Sequence, residues 1–142
     1  MAPRTADYYM AKLATLERKA DLVGVNLGGA GEIPGYANVN NRIDQRNADA
    51  IPNLVDDSAE NIGLRFPPGS VDHVAANNIV AGTMNWMVVA RGVYQILRRG
   101  GLVSLAEFAG GYDKGASIKA ALEAAGFQEV LILHGILVVA EK

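Results

Sequence analysis

No cysteine occurs in this chain. Disulfides and thiolate metal sites are therefore excluded. The redox compartment stays open, because a cysteine-free chain fits the cytosol and an exported protein alike. The two histidines are far apart, so no metal site is expected either. No long run of positive charge exists. Arg42, Arg46 and Arg65 are scattered, Arg98-Arg99 is an isolated pair, and the formal net charge is -2. That balance gives no electrostatic case for a nucleic-acid binder. No apolar stretch approaches the roughly 20 residues of a membrane span. Met1 to Ala6 lacks the apolar core of a signal peptide. The expectation is a cytoplasmic location, with export by another route, or as part of a larger precursor, still compatible.

What the chain does have is apolar side chain in quantity. Hydrophobic residues are 50% of 142 and charged residues 20%. This balance belongs to a globular chain able to bury one sizeable core. No internal repeat or low-complexity segment interrupts it.

Thr5 to Ala20 sets Tyr8, Tyr9, Leu13 and Leu16 at roughly helical spacing, which predicts a short amphipathic helix capped by Thr5. We read residues 1–20 as this helix and 21–142 as the main domain. Asp21 to Leu27 is short and branched-apolar, and it runs into Gly28-Gly29-Ala30-Gly31: a strand feeding a glycine turn. Further strands are expected at Tyr36 to Asn40, near Ala48 to Leu54, and at Val71 to Ala76, ending at Asn77-Asn78. Thr83 to Arg99 reads as a helix with Arg98-Arg99 in its last turn and Gly100-Gly101 as its stop. Leu102 to Phe108 is a strand and Ala116 to Ala125 a helix ended by Gly126. Phe127 to Leu133 and Ile136 to Glu141 are strands joined at His134-Gly135. Alternating strands and helices predict an α/β fold: a Rossmann-like, mostly parallel sheet with helices on both faces and a C-terminal antiparallel hairpin. Ligands in such sheets bind at the carboxyl ends of strands, where chain order reverses.

A glycine turn after a strand lets a ligand approach the backbone, and it is equally a plain tight turn. A dinucleotide site needs a helix directly after the glycines. Here Glu32-Ile-Pro-Gly35 and a second strand follow, leaving no room for one. The Lys-Ser/Thr pair of a phosphate-binding P-loop is also missing. A ligand without phosphates is favoured, such as a nucleoside carrying an amino-acid tail.

Asn26-Leu-Gly-Gly-Ala-Gly31 followed by Ile33-Pro-Gly-Tyr-Ala-Asn-Val-Asn40 resembles the start of compact class I S-adenosylmethionine-dependent methyltransferases. Those read roughly N-L-G-x-G and then P-G-(aromatic)-x-N-V-D. Phe66-Pro-Pro-Gly-Ser-Val-Asp72-His-Val74 is similar to their F-P-D-x-S-(V/F)-D-x-V segment. Tyr94-Gln-Ile-Leu-Arg98-Arg-Gly-Gly-Leu102 is similar to R-(V/I)-L-(K/R)-P-G-G-x-L, with Arg99 where proline is usual. Ala124-Ala-Gly-Phe127 matches the A-G-F before the terminal hairpin. The matches run in the correct order over residues 21 to 142.

The resemblance implies S-adenosylmethionine as cofactor and methyl transfer to an acceptor the sequence does not name. By position, Gly28, Gly29 and Gly31 would pack against its methionine part. The residue ending the second strand would hold the ribose hydroxyls. Asn40 stands there in place of the usual carboxylate, and an amide lacks the charge that roughly doubles such hydrogen bonds. Asp56 or Asp57 is the nearest match to the adenine contact, with a solvated loop as the plain alternative. Asn77-Asn78 would lie beside the transferring methyl, or simply cap a turn. Asp72 is structural in that pattern, and His73 a strand residue. Trp86 with Met84 and Met87 reads as core packing, with a substrate-facing wall as the alternative. Glu107 faces either the site or solvent. So little cover leaves room for a large acceptor or for a homodimer that completes the site. A non-catalytic binding or regulatory module with the same fold, or an effector or toxin domain of a larger secreted protein, are the competing functions.

Overall fold

The computed structural model describes residues 4–16, 18–41 and 50–142, without the side chain of Asn78. Arg42, Arg46 and Ala48 thus lie outside the described residues. Seven strands form one sheet: β1 (Gly24–Leu27), β2 (Ala37–Val39), β3 (Leu54–Val55), β4 (Val71–Ile79), β5 (Leu97–Glu107), β6 (Gln128–Leu133) and β7 (Leu137–Glu141). Their order is β3-β2-β1-β4-β5-β7-β6. The first five run parallel, and β7 is antiparallel to both β5 and β6. The α/β expectation with its closing hairpin is met. His134 and Gly135 both take positive φ (53° and 75°) in the hairpin turn, as a primed turn requires.

Three described helices cover the sheet from both sides: α1 (Ala6–Leu16), α2 (Trp86–Ile96) and α3 (Ala116–Ala125). In α2, Trp86, Val89, Ala90, Val93 and Ile96 are buried, a stripe at helical spacing. They join Val74, Val103, Val138 and Leu122 of α3 in the larger core. Each fully buried Val or Ile there contributes roughly 1.5–3 kcal/mol, so Val93→Asp would break this face. On the other side, Tyr9 and Leu16 of α1 pack on Leu102, Leu133 and Val139. Thr5 caps α1 as expected, its Oγ1 accepting from Tyr8 N–H at 3.2 Å. Tyr8, Arg4 and Lys12 all engage the buried Glu141 carboxylate of β7, which ties the helix to the sheet.

Several boundaries differ from the sequence reading. α2 stops at Ile96 rather than Arg99, because Leu97 turns extended (φ −66°, ψ 135°) and pairs with Val71. Arg98 and Arg99 therefore begin β5, and Arg98 turns to Asp72. Gly100 and Gly101 sit at a register shift between β4 and β5, not at a helix stop. A side chain on Gly101 would meet the carbonyl of Asp72 at 3.1 Å. The third strand is Leu54–Val55 only, since Pro52 and Asn53 form a turn with Asn53 at φ 51°. β4 continues through Asn77-Asn78 to Ile79. The extra residues before Phe66 form a 3-10 helix, Ala59–Leu64.

No helical turn separates Gly31 from Tyr36. The link between parallel β1 and β2 is thus shorter than the roughly dozen residues such a crossover usually takes. Tyr36 covers the sheet where a crossover helix would lie. Its ring packs so closely on Gly24 that a Cβ there would stand 2.5 Å from it. Its hydroxyl meets His73 Nδ1 at 2.6 Å, and His73 Nε2 meets Ser104 Oγ at 2.8 Å. A neutral imidazole supplies one donor and one acceptor, which is what this buried chain needs. Burial pushes the His73 pKa down to about 4.

Candidate functional site

The sheet order reverses between β1 and β4, so the crevice at their carboxyl ends is the expected ligand site. A half-open cleft of about 250 Å³ lies there. Gly28 follows β1, Asn40 follows β2, Asp57 and Ser58 follow β3, Ile79 ends β4 and Val80 follows it. Ala59, Ile79 and Met84 give it apolar wall, and Glu60 adds a carboxylate.

Of the residues singled out from sequence, the fold brings Gly28, Asn40 and Asp57 to this cleft. Gly29, Gly31, Asp56 and Asn77 are not among its lining. Asp56 and Asn77 are exposed, and the side chain of Asn78 lies outside the described residues.

Gly29 and Gly31 have a different reason to be glycine. A Cβ on Gly29 would collide with the amides of Asn38 and Asn26, the latter at 2.6 Å. One on Gly31 would stand 2.8 Å from Pro52. Asn26 and Asn38 are buried on adjacent strands. Asn38 Oδ1 accepts from Gly31 N–H at 3.1 Å, and its Nδ2 donates to Pro52 O at 2.7 Å. Gly28 N–H donates to Val39 O (2.8 Å), Gly29 N–H to Asn26 O (3.2 Å), and Ala30 N–H to the Glu32 carboxylate. All four amides of the turn are thereby satisfied by the protein itself. The turn is not an anion-binding nest. It offers a ligand only its close approach at Gly28, whose Cα lies against Ile79. Glu32 did not stand out in the sequence, and Asn26 did so only as the opening of the glycine motif, because their role depends on the pairing of β1 with β2.

Asn40 is half-buried, and its Nδ2 donates to Gly29 O at 3.3 Å, tying the second strand's end to the turn. Asp57 is held by three donors: Asn61 Nδ2 at 2.8 Å, Arg65 Nε at 2.7 Å and Ser58 N–H at 2.7 Å. These bonds, Asn61 first, lower its pKa to about 2. A carboxylate offers about four acceptor positions, so one remains on Oδ2 for a ligand N–H. Glu60 braces the far wall: its Oε1 accepts from Asn85 N–H at 3.0 Å, at the start of α2, and its Oε2 meets Ser58 Oγ.

Asp72 lies away from this edge. Its burial would raise its pKa, but bonds from Lys19 (2.7 Å), Val23 N–H (2.9 Å) and Arg98 prevail and set it at about 2. Glu107 is buried at the end of β5 and lines a second cleft, which shares Met84 with the first. Among the described residues no group of His and carboxylates is arranged to hold a metal ion. No described helix is long and apolar enough to cross a membrane.

No family model and no curated protein matches the sequence. Solved structures do match the fold. A S-adenosylmethionine-dependent methyltransferase of Archaeoglobus fulgidus superposes with TM-score 0.66 at 14% identity, covering 94% of each chain. One of Thermotoga maritima, described as a possible histamine N-methyltransferase, gives 0.59 at 17% identity over 94% of this chain and 89% of its own. One of Aquifex aeolicus gives 0.59 at 10% identity over 92% and 86%. The strand order, the crossed β1–β4 crevice and these superpositions agree: the chain has the fold of the class I S-adenosylmethionine-dependent methyltransferases.

Proposed function

We propose that the chain binds S-adenosylmethionine in the cleft at the ends of β1 to β4 and directs its methyl group to an acceptor. The observation that carries this reading is the convergence of Gly28, Asn40 and Asp57, from three separate connections, on one crevice at the switch point. The residues fit the group. Asn40 brings an amide to the cleft, Asp57 keeps one acceptor position for an adenine N–H, and Ala59, Ile79 and Met84 are apolar walls for a base. The bound cofactor supplies an activated methyl group. Asn40 orients the ribose, Asp57 the base, and Glu60 holds the start of α2 beside them. Methyl transfer asks little more than in-line placement of the acceptor, so a general base in this cleft is not required.

A second reading is favoured by one feature, the internal satisfaction of every amide in the glycine turn. With Asn40 uncharged, this suits a module that keeps the fold without turnover. Calorimetry with S-adenosylmethionine and S-adenosylhomocysteine separates the two. Binding of both is expected; no heat from either at millimolar concentration would exclude the cofactor reading.

A further inference from the structure

The second cleft, about 310 Å³, lies between the start of α2 and the loop after β5, across Met84 from the first. Two polar side chains of mostly buried residues line it. Glu107 is 7% exposed, and its carboxylate joins no hydrogen bond or ion pair among the described residues. Trp86 is also 7% exposed, and its indole N–H has no acceptor. The Glu107 carboxylate therefore has acceptor positions open to a ligand that donates N–H, as an ammonium does. The backbone keeps room for the carboxylate: Gly111 takes φ 68°, and a Cβ there would stand 2.7 Å from Glu107 Oε1.

The charge of the cleft is one-sided. Asp113 is its second carboxylate, held ionised by hydrogen bonds from Ser117, and no Lys or Arg is among the lining residues. Tyr112 (90% exposed) and Met87 (51%) supply apolar surface to its rim. Acidic lining and apolar flanks describe a site for a small organic cation with an apolar body.

We infer that this cleft is the methyl-acceptor site and that it takes a small organic amine, held by the Glu107 carboxylate beside Trp86. The inference rests on the cofactor reading above. An ammonium bound there yields one proton to Glu107, which frees the nitrogen lone pair. That pair takes the methyl carbon, the electrons of the broken carbon–sulfur bond stay on sulfur, and sulfonium becomes thioether. The product leaves as the methylated ammonium, and Glu107 returns its proton to water.

Trp86 is the sole tryptophan of the chain, so its emission reports this cleft alone. The full chain is titrated with phenethylamine and, separately, with hydrocinnamate, which has a similar body but a carboxylate. A saturable change with the amine is expected, with hydrocinnamate at least about tenfold weaker. Glu107→Gln should weaken the amine by about tenfold or more, the loss of a bond to a charged acceptor. Heat from S-adenosylhomocysteine should stay within about twofold of the unaltered chain, since Glu107 is outside the first cleft. Equal amine affinity in Glu107→Gln, no saturable change in the unaltered chain, or hydrocinnamate binding as tightly would each overturn the inference. Should Glu107→Gln melt early in a thermal scan, the amine-against-carboxylate preference of the unaltered chain decides alone. Amine binding with no heat from S-adenosylhomocysteine would overturn the acceptor role through the cofactor reading, while heat without amine binding would overturn the amine site only.

Discussion

Asn26 and Asn38 are register partners on β1 and β2, and the Cα of Gly29 lies against both of their amides. A glycine turn that looks made for a ligand is thus anchored from beneath by two buried side chains. Asn38→Leu would leave Gly31 N–H and Pro52 O without their partner. At about 1–3 kcal/mol for each unsatisfied group, a loss of roughly 2–6 kcal/mol is expected in denaturant unfolding. Gly29→Ala should also destabilise, by about 1–3 kcal/mol, through overpacking. A stable Gly29→Ala would show that the turn is looser than its contacts indicate.

The same anchoring limits what the turn gives a cofactor. No amide of residues 28–31 remains to hold a carboxylate. Affinity should therefore come from the nucleoside. Methylthioadenosine, which lacks the amino-acid tail, is expected to bind within about tenfold of S-adenosylhomocysteine, less than the ~1.5–3 kcal/mol of each lost charged hydrogen bond would give if the tail were gripped. Competition calorimetry measures the ratio, and a gap of a thousandfold would mean that the tail is firmly held.

In the proposed site, Asn40 would give the ribose an uncharged partner. Asn40→Asp restores the acceptor that the related motif carries, and charge-assisted bonds are roughly twice as strong. A gain of about five- to tenfold in S-adenosylhomocysteine affinity is expected by calorimetry. Unchanged affinity would move the ribose contact away from Asn40.

Acid stability should show two windows. His73 is buried neutral with its pKa at about 4 against 6.5 when free. The unfolded chain binds the proton first, so stability present above pH 6.5 is lost as pH falls toward 4. Asp72 and Asp57, both lowered to about 2 from 3.8, add a further loss as pH falls from 3.8 toward 2. Denaturant midpoints measured across pH should therefore slope between 6.5 and 4, and His73→Gln should flatten that part only. An unchanged slope in His73→Gln would assign it to other groups.

The parts of the fold that were legible in the sequence are those set by local chemistry. Ala116 to Ala125 is helical to the residue, because alanine propensity and Gly126 at φ 118° define its end. The glycine turn's lack of a following helix was readable from Pro34-Gly35. What misled was tertiary pairing. Arg98-Arg99 looks like a helix end by charge, yet Leu97 is drawn into β5 by Val71. β3 is two half-exposed residues and carries almost no pattern. Of the residues named through motif order, Gly28, Asn40 and Asp57 line the first cleft, and Gly29, Gly31, Asp56 and Asn77 do not. Asn38 and Glu32 were not legible, and Trp86 and Glu107, each weighed as facing a site, were not seen to share one cleft, since each depends on strands or loops that meet only in the folded chain. His73 read as an ordinary strand residue, because nothing local announces Tyr36 and Ser104 on either side of it.

The central claim is that Gly28, Asn40 and Asp57 form a nucleoside cofactor site, and amide NMR of the labelled chain titrated with S-adenosylhomocysteine tests it most directly. The expected result is a saturable shift of the Gly28, Val39, Asn40, Asp57, Ser58 and Ile79 amides, with those of α1 and β6 unmoved. No shifts at millimolar ligand, or shifts gathered away from the ends of β1 to β4, would contradict it.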